Sequence, residues 1–258
     1  MKKKYLSEIL EKYYNEFNNI KFIDNDPIKI PHQYKLKQDI EIAAFLTSTI
    51  SWGNRKSIIN NAQKLMNLMD NSPFQFISQS KKKDLQKFNK FVHRTFNNLD
   101  CIYFIMAIKH IYKHYNSIEN LFYQIFFQYN NNIEMAIHHF HQFFFSLPHD
   151  KHAEKHLPTP LKGSACKKFN MFLRWMVRKD NRGVDFGIWN NIPPNKLVCP
   201  LDVHSANTAR KLKLISRKQN DWKAAIELTN NLMNFDPLDP VRFDFALFGI
   251  SITKNIIH

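Results

Sequence analysis

Two stretches of this chain combine residue types that could do chemistry. In the first, GSACKKFNMFLRWMVR (residues 163–178), Gly163 and Ser164 make a good helix start, with Ser164 able to accept a backbone N–H as N-cap. Lys167 then falls in the first turn, where the helix dipole presents positive potential and cations are normally avoided. Lys162 and Lys168 add like charge nearby. All three influences favour the neutral amine, the form a nucleophilic lysine needs near neutral pH. The plain alternative is a basic, solvated helix end. At ~100° per residue, Arg174 and Arg178 return to within ~20° of Lys167, so one helix face carries all three cations with Met171 between them. Phe169, Phe172, Leu173 and Met176 recur at i, i+3, i+4 and i+7 and mark the buried stripe.

The second stretch is PLDVHSANTARKLKL, residues 200–214. Pro200 holds the entry extended, and Asp202 precedes a segment that is apolar at Val203, Ala206, Ala209 and Leu212. As an N-cap, Asp202 would accept N–H bonds from the first turn, which keeps its carboxylate ionised. A stabilising cap is by itself a sufficient account of the residue. A metal reading of Asp202 with His204 is weaker, because one D-x-H without a second carboxylate–histidine pair at ligand spacing is a poor site. No metal and no other cofactor is expected. Taken together, a dipole-activated lysine and an anionic aspartate, each at a helix N-terminus, suit amine chemistry on nucleic acid. A neutral lysine can attack an electrophilic sugar C1′ as the base leaves, and an aspartate can stabilise the oxocarbenium-like charge that develops there.

Helices must position these groups, and helical periodicity dominates the chain. Leu6, Ile9, Leu10 and Tyr13 fall on one face of the first segment, and Pro27 and Pro31 then block continuation. Residues 37–69 read as two helices broken near Trp52, Gly53 and Asn54, with Asp39 or Gln38 opening the first. Asp100 lies near the start of another helix, Ser117 and Asn120 are cap candidates, and residues 132–147 are aromatic nearly all round. After Pro148 the chain turns polar and proline-containing, which suits a crossing between lobes. No alternating run demands a sheet, and no fixed repeat is visible. The expected class is all-α, with about nine or ten helices.

The bulk numbers are compatible. A chain of 258 residues is long enough for one large domain or two small lobes with a real core. Lys and Arg total 37 against 22 Asp and Glu, a net charge of +15, so the surface must be strongly positive somewhere. The usual partners of such a surface are nucleic acid or an anionic membrane. Heavy Asn, Lys and Ile usage accounts for part of the bias, so charge alone points to nucleic acid only modestly. Cys101, Cys166 and Cys199 are far apart and form no CxxC, which argues against a disulfide framework, a zinc knuckle or an iron–sulfur cluster. Glu8, Glu11 and Glu16 make the start unlike a signal peptide, and no apolar run approaches ~18 residues. A soluble, cytoplasmic protein without a membrane partner is expected.

Other candidates are weaker. Asp185 and Trp189 sit in VDFGIWNNI, a segment that suits a pocket lip, where Trp189 or Phe186 could give a flipped base its aromatic face; plain packing of Trp189 is the alternative. Asp239 reads as an N-cap with Pro240 after it, Arg242 as a salt-bridge residue, and Asp239 or Asp244 as possible base contacts. His138 and His141 could share a face, and the histidines of PHDKHAEKH are loosely spaced, with structural or surface roles expected rather than metal binding. The run at Lys81, Lys82 and Lys83 is a solvated basic patch that could touch phosphate.

PLDVHSANTARKL resembles the segment carrying the catalytic aspartate of the helix-hairpin-helix DNA glycosylase superfamily, written V-D-T-H or V-D-V-H. The resemblance puts that aspartate on Asp202 and the accompanying histidine on His204. Members with lyase activity carry a lysine upstream in L-P-G-V-G-x-K before an apolar helix. GSACK occupies that place, and the apolar positions beyond the lysine match Phe169, Met171, Phe172 and Leu173 when the lysine is Lys167; Lys168 fits that register less well. IEIAAFLTSTISWGNRKSIINNAQKL is similar to the first barrel helix pair, whose turn supplies a residue that enters the space left by an extruded base. Trp52, or its neighbours Gly53 and Asn54, would occupy that turn, with core packing of the tryptophan as the alternative. Arg174, Arg178, Trp189 and His204 join Trp52 and Asn54 as expected contacts to DNA or the base.

The sequence also departs from the family pattern. LPTPLKGSACK lacks the hairpin's second glycine, which fits a looser helix–loop–helix such as that of the archaeal 8-oxoguanine branch. The lysine and aspartate are further apart than in endonuclease III, and that branch's iron–sulfur cysteines are absent. FLRWMVR, VDFGIW and PLDVH make the whole chain similar to a bacterial family of comparable size, a likeness that carries no activity. The glycosylase resemblance implies a bilobal helical fold, with a barrel lobe at 36–147 and a second lobe from 1–35 and 148–258 bearing the lysine and aspartate. It implies a monomeric base-excision repair enzyme, cytoplasmic and nucleoid-associated when on DNA, that excises a damaged base from double-stranded DNA and cleaves the abasic site through a lysine Schiff base. An oxidised purine such as 8-oxoguanine is the favoured substrate, because PLDVH is most like that branch. The competing expectation is a non-catalytic nucleic-acid-binding protein that keeps the scaffold.

Overall fold

The computed structural model describes residues 3–253, and among these the fold is all-α, with no β-strand. In chain order the helices are α1 (Lys3–Phe17), α2 (Ile20–Ile23), α3 (Lys37–Thr49), α4 (Arg55–Leu68), α5 (Pro73–Gln79), α6 (Asn98–Tyr115), α7 (Ile118–Gln128), α8 (Ile133–Phe144), α9 (Lys167–Val177), α10 (Val203–Lys211), α11 (Trp222–Met233) and α12 (Asp244–Thr253). Short 3₁₀ turns occupy several connections. The chain divides into two compact units. A central unit runs from Ile23 to Pro158, and a terminal unit joins the segment up to Phe22 with the segment from Thr159 onward. Residues 23–35 and 148–158 therefore group with the central segment. No described helix is long and apolar enough to cross a membrane.

In the central unit, α3 is buried on nearly every side, from Ile40 to Thr49. Its Glu41 is a buried charge kept tolerable by three donors: the Tyr112 hydroxyl at 2.6 Å and the Ile118 and Glu119 N–H groups at 2.8 and 3.0 Å. Those two N–H groups belong to the first turn of α7, so a side chain from α3 helps to cap a different helix. The α3–α4 break falls where the sequence predicts it. Gly53 takes φ +100, and Asn54 caps α4 by accepting the Ser57 N–H at 3.1 Å. The missing Cβ also admits Arg94, whose Nη1 would lie 2.8 Å from one. Asn97 and Asp100 form a reciprocal capping box on α6. The aromatic helix α8 buries Ile137, Phe140, His141 and Phe144 along one face, and Phe140 and Phe144 pack on Phe45.

In the terminal unit, Leu6, Ile9, Leu10 and Tyr13 of α1 are buried, as their spacing predicts, and Tyr14 is buried beside them. Helix α12 packs against α1 closely enough that a Cβ at Gly249 would overlap the Phe17 ring, so any larger residue there must displace that side chain or the helix that carries it. Helix α9 is buried from Phe169 to Val177, the polar Asn170 and Arg174 included, and α10 and α11 are capped by Asp202 and Asp221.

Candidate active site

Lys167 is the first residue of α9 and Asp202 is the N-cap of α10. The two helix starts meet: Lys167 Nζ lies 3.9 Å from Asp202 Oδ2, with the side chains 28% and 43% exposed. An ion pair so open to water contributes little to stability. Its interest lies in the placement of an amine and a carboxylate side by side, both partly exposed.

The carboxylate is aimed by its own helix. Oδ1 accepts the His204 N–H and the Ser205 N–H, each at 2.9 Å, and the Ser205 hydroxyl at 3.2 Å. The Ser205 hydroxyl oxygen in turn accepts the Asp202 N–H at 2.8 Å, closing a capping box that leaves Oδ2 turned to the lysine. Burial pushes the Asp202 carboxyl up, but the Lys167 ammonium and the Ser205 and His204 donors outweigh it and hold the group below the usual carboxylate range. Asp202 is therefore an anion at neutral pH. The neighbouring amine is shifted the other way: burial, with the charge of Lys167 added, brings Lys168 down to about 7.

The turn that delivers Lys167 differs from the one the sequence suggested. Ser164 does not cap α9. Its hydroxyl oxygen accepts the Cys166 N–H at 3.1 Å, and Cys166 enters the helix in the left-handed region at φ 48 without a side-chain cap. A non-glycine residue there carries about 1 kcal/mol or more of strain. The surroundings hold it: the Trp222 N–H donates to the Gly163 carbonyl at 3.3 Å, and Ser164 pairs with Asp221. The approach to α9 thus lies beside the start of α11, while Lys167 touches the start of α10. Three helix N-termini gather around this loop, and Lys162 and Lys223 are exposed on either side of the Gly163–Trp222 bond. Such an end favours an anionic ligand.

Several expected contacts are corrected by burial. Arg174 and Arg178 share the face of Lys167 but lie inside, only 4% and 1% exposed, so they do not meet DNA. Arg174 pairs with Asp185 at 3.3 Å and with Asp244, while Arg178 pairs with Asp185 at 3.1 Å and with Asp180 and Asp239, each at 2.8 Å. Asp239, read as a cap, makes no cap bond of its own because it serves Arg178. Arg242 forms the expected ion pairs, with Glu11 and Asp236. Trp189 is 1% exposed and packs edge-on against Phe172, 5.3 Å between centroids, so it is core and not a pocket lip. His204 is exposed beside Asp202. Trp52 and Asn54 belong to the central unit. There Asn54 is a helix cap, and Trp52 is half-buried with its ring 5.0 Å from His93 and 5.6 Å from His156.

Two environments escape the sequence. Asp244, read as a possible base contact, is instead the partner of Arg174; burial, added to by the Asp202 charge, raises its carboxyl to about 6 against the pull of Arg174 and Lys167. Nothing in RFDFALF signals that environment. The second is a cluster in the central unit formed by Asp100, His152 and His156. The i, i+4 spacing of the two histidines was visible, but their carboxylate partner comes from a helix far away in sequence.

No curated protein and no solved structure matches the chain. A family model does match, over residues 26–253, and its span takes in α3 through α12 with both Lys167 and Asp202. The chain belongs to the family described as "Protein of unknown function (DUF2400)".

Proposed function

We propose that this protein is a DNA glycosylase with abasic-site lyase capacity, acting on double-stranded DNA that carries a damaged base. The observation that carries the reading is the 3.9 Å approach of Lys167 Nζ to Asp202 Oδ2 at two helix N-termini. An amine next to a carboxylate that stays ionised suits displacement at a sugar C1′. The Lys167 ammonium first gives its proton to water; the freed nitrogen lone pair then forms a bond to C1′ as the N-glycosidic bond breaks, and the base leaves with the glycosidic electron pair and takes a proton from water. Asp202 stabilises the positive charge developing on the sugar and accepts the proton the amine sheds. Opening of the ring gives the Schiff base, from which loss of a C2′ proton expels the 3′ phosphate. The net charge of +15 and the converging helix N-termini supply the electrostatics for a phosphate backbone. The resemblance of PLDVH to the 8-oxoguanine branch makes an oxidised purine the favoured lesion, in the manner of a base-excision repair enzyme.

Lys168 offers a second assignment of the nucleophile, because it is the amine whose affinity for protons falls to about 7. It abuts Lys167 in the chain, so both must be tested. Borohydride added to protein with 8-oxoguanine or abasic duplex should trap a covalent adduct. Lys167→Ala should abolish the adduct, and Lys168→Ala should retain it. Salt-sensitive duplex binding with no adduct and no base release across a lesion panel would instead show a non-catalytic binding protein.

A further inference from the structure

We propose that Asp100, His152 and His156 bind a divalent cation of the zinc type, independently of the lysine–aspartate pair. The first turn of α6 fixes the carboxylate: Asp100 Oδ2 accepts the Asn97 N–H at 2.9 Å, and the Asp100 N–H is returned to Asn97 Oδ1 at 3.0 Å. The two imidazoles come from one 3₁₀ turn, Lys151–His156. His152 Nδ1 lies 2.9 Å from Asp100 Oδ1, and His156 Nε2 lies 3.2 Å from Asp100 Oδ2. One ligand atom from each residue falls within 4.8 Å of the other two.

Those contacts, made to the two different oxygens of Asp100, are close to coordination spacing. A four-coordinate cation held at about 2.1 Å by imidazole nitrogen and carboxylate oxygen places neighbouring ligand atoms roughly 3.4 Å apart, so the cluster must open by only about half an ångström to admit one. Two imidazoles and one carboxylate are a borderline donor set suited to zinc, and three protein ligands leave a position for water. The Asn97 N–H is the kind of outer partner that orients a ligating carboxylate. Burial is lopsided in a useful way. Asp100 and His156 are 2% exposed, but the His152 side chain is 37% exposed, which gives a hydrated ion a way in.

Without a cation His152 Nδ1 is within hydrogen-bond distance of Asp100 Oδ1, while His156 Nε2 lies 3.2 Å from Asp100 Oδ2 outside hydrogen-bond geometry, and Lys155 selects the His152 arrangement. Its Nζ lies 2.5 Å from His152 Nε2. An ammonium donating to Nε2 leaves the imidazole proton on Nδ1, where it bonds Asp100 and blocks ligation. Metal loading therefore requires the exposed Lys155 to swing off and the His152 proton to move to Nε2 or leave. The bound ion would pin residues 151–156 to the start of α6, with the Trp52 ring 5.6 Å from one of its ligands.

The test is calorimetric titration of the chelator-treated full-length protein with Zn²⁺, together with Co²⁺ binding followed by visible absorption and tryptophan quenching. One Zn²⁺ per chain is expected. His152→Ala, whose side chain is partly exposed, should weaken binding about tenfold or more without unfolding the protein, a scale typical of losing ligand support. Asp100→Asn should do the same, and Lys155→Ala should tighten binding. His110→Ala, at the competing histidine pair with His114 on α6, where the rings are 4.5 Å apart, should change nothing. Absence of stoichiometric binding overturns the proposal. So does an affinity that survives His152→Ala but is lost in His110→Ala.

Discussion

At the residue scale, Asp202 serves two ends with one geometry. The helix donors that make it a cap also keep it ionised and leave Oδ2 on Lys167. Asparagine caps about as well as aspartate, so Asp202→Asn should keep stability within about 1 kcal/mol. The same change should lower adduct formation about a hundredfold, the scale of losing one charge-stabilising group. Denaturant midpoints and trapping yields measured on the same preparation separate cap from catalyst, and equal trapping by both proteins would leave only the cap. Lys168 makes a pH-dependent prediction. Its folded value of about 7 lies below the ~10.4 of an unfolded lysine. The unfolded chain then binds more protons between those values, so the penalty is full below pH 7 and vanishes as pH rises through ~10.4. Lys168→Met should therefore be more stable than wild type at pH 6.5, and the gap should close at pH 10. A gap that is the same at both pH values contradicts the depressed amine. Asp202 and Lys167 were legible as types and spacings. The depressed amine at Lys168 was not, because burial depends on which helices lie over it.

At the element scale, the periodicity of α9 was legible and its surroundings were not. The apolar stripe from Phe169 to Met176 is buried as the spacing predicts. The cationic face failed as a DNA-facing surface because acidic residues from the 180–185 loop, Asp239 and the start of α12 cover it. A sequence shows which residues share a helix face but not which chain segments close over it. Asp185 is the hub, with its side chain fully buried between both arginines. Removing one partner of a buried pair strands the other charge, so Asp185→Ala should cost about 3–5 kcal/mol in urea unfolding. A loss under 1 kcal/mol would mean the network does not hold α9 in place. The start of α9 carries the same lesson. Gly163 and Ser164 announced a helix, but the chain waits until Lys167 and passes through a strained Cys166, held by backbone bonds to the start of α11.

At the scale of the whole molecule, the all-α class could be read from period and punctuation: Ser117 and Asp202 cap helices where the sequence places their starts, whereas Asp39 does not open α3, which begins at Lys37, because its carboxylate accepts the Phe74 N–H instead. Both halves of the Lys167–Asp202 pair lie in the terminal unit, which the chain assembles from segments at its two ends. The charge of +15 has a testable consequence there, with Lys162, Lys211, Lys213 and Lys223 exposed in that unit. Each phosphate contact contributes about −0.9 to the slope of log affinity against log salt, so three or more should give about −2.7 or steeper. A flat response would disconnect the charge from nucleic acid. The most direct measurement of the central proposal is peptide mapping of the borohydride-reduced adduct formed on a duplex containing 8-oxoguanine or an abasic site. The modified residue should be Lys167, and the Asp202→Asn protein should yield little adduct to map. Modification of Lys168, or no modified lysine at all, would contradict it.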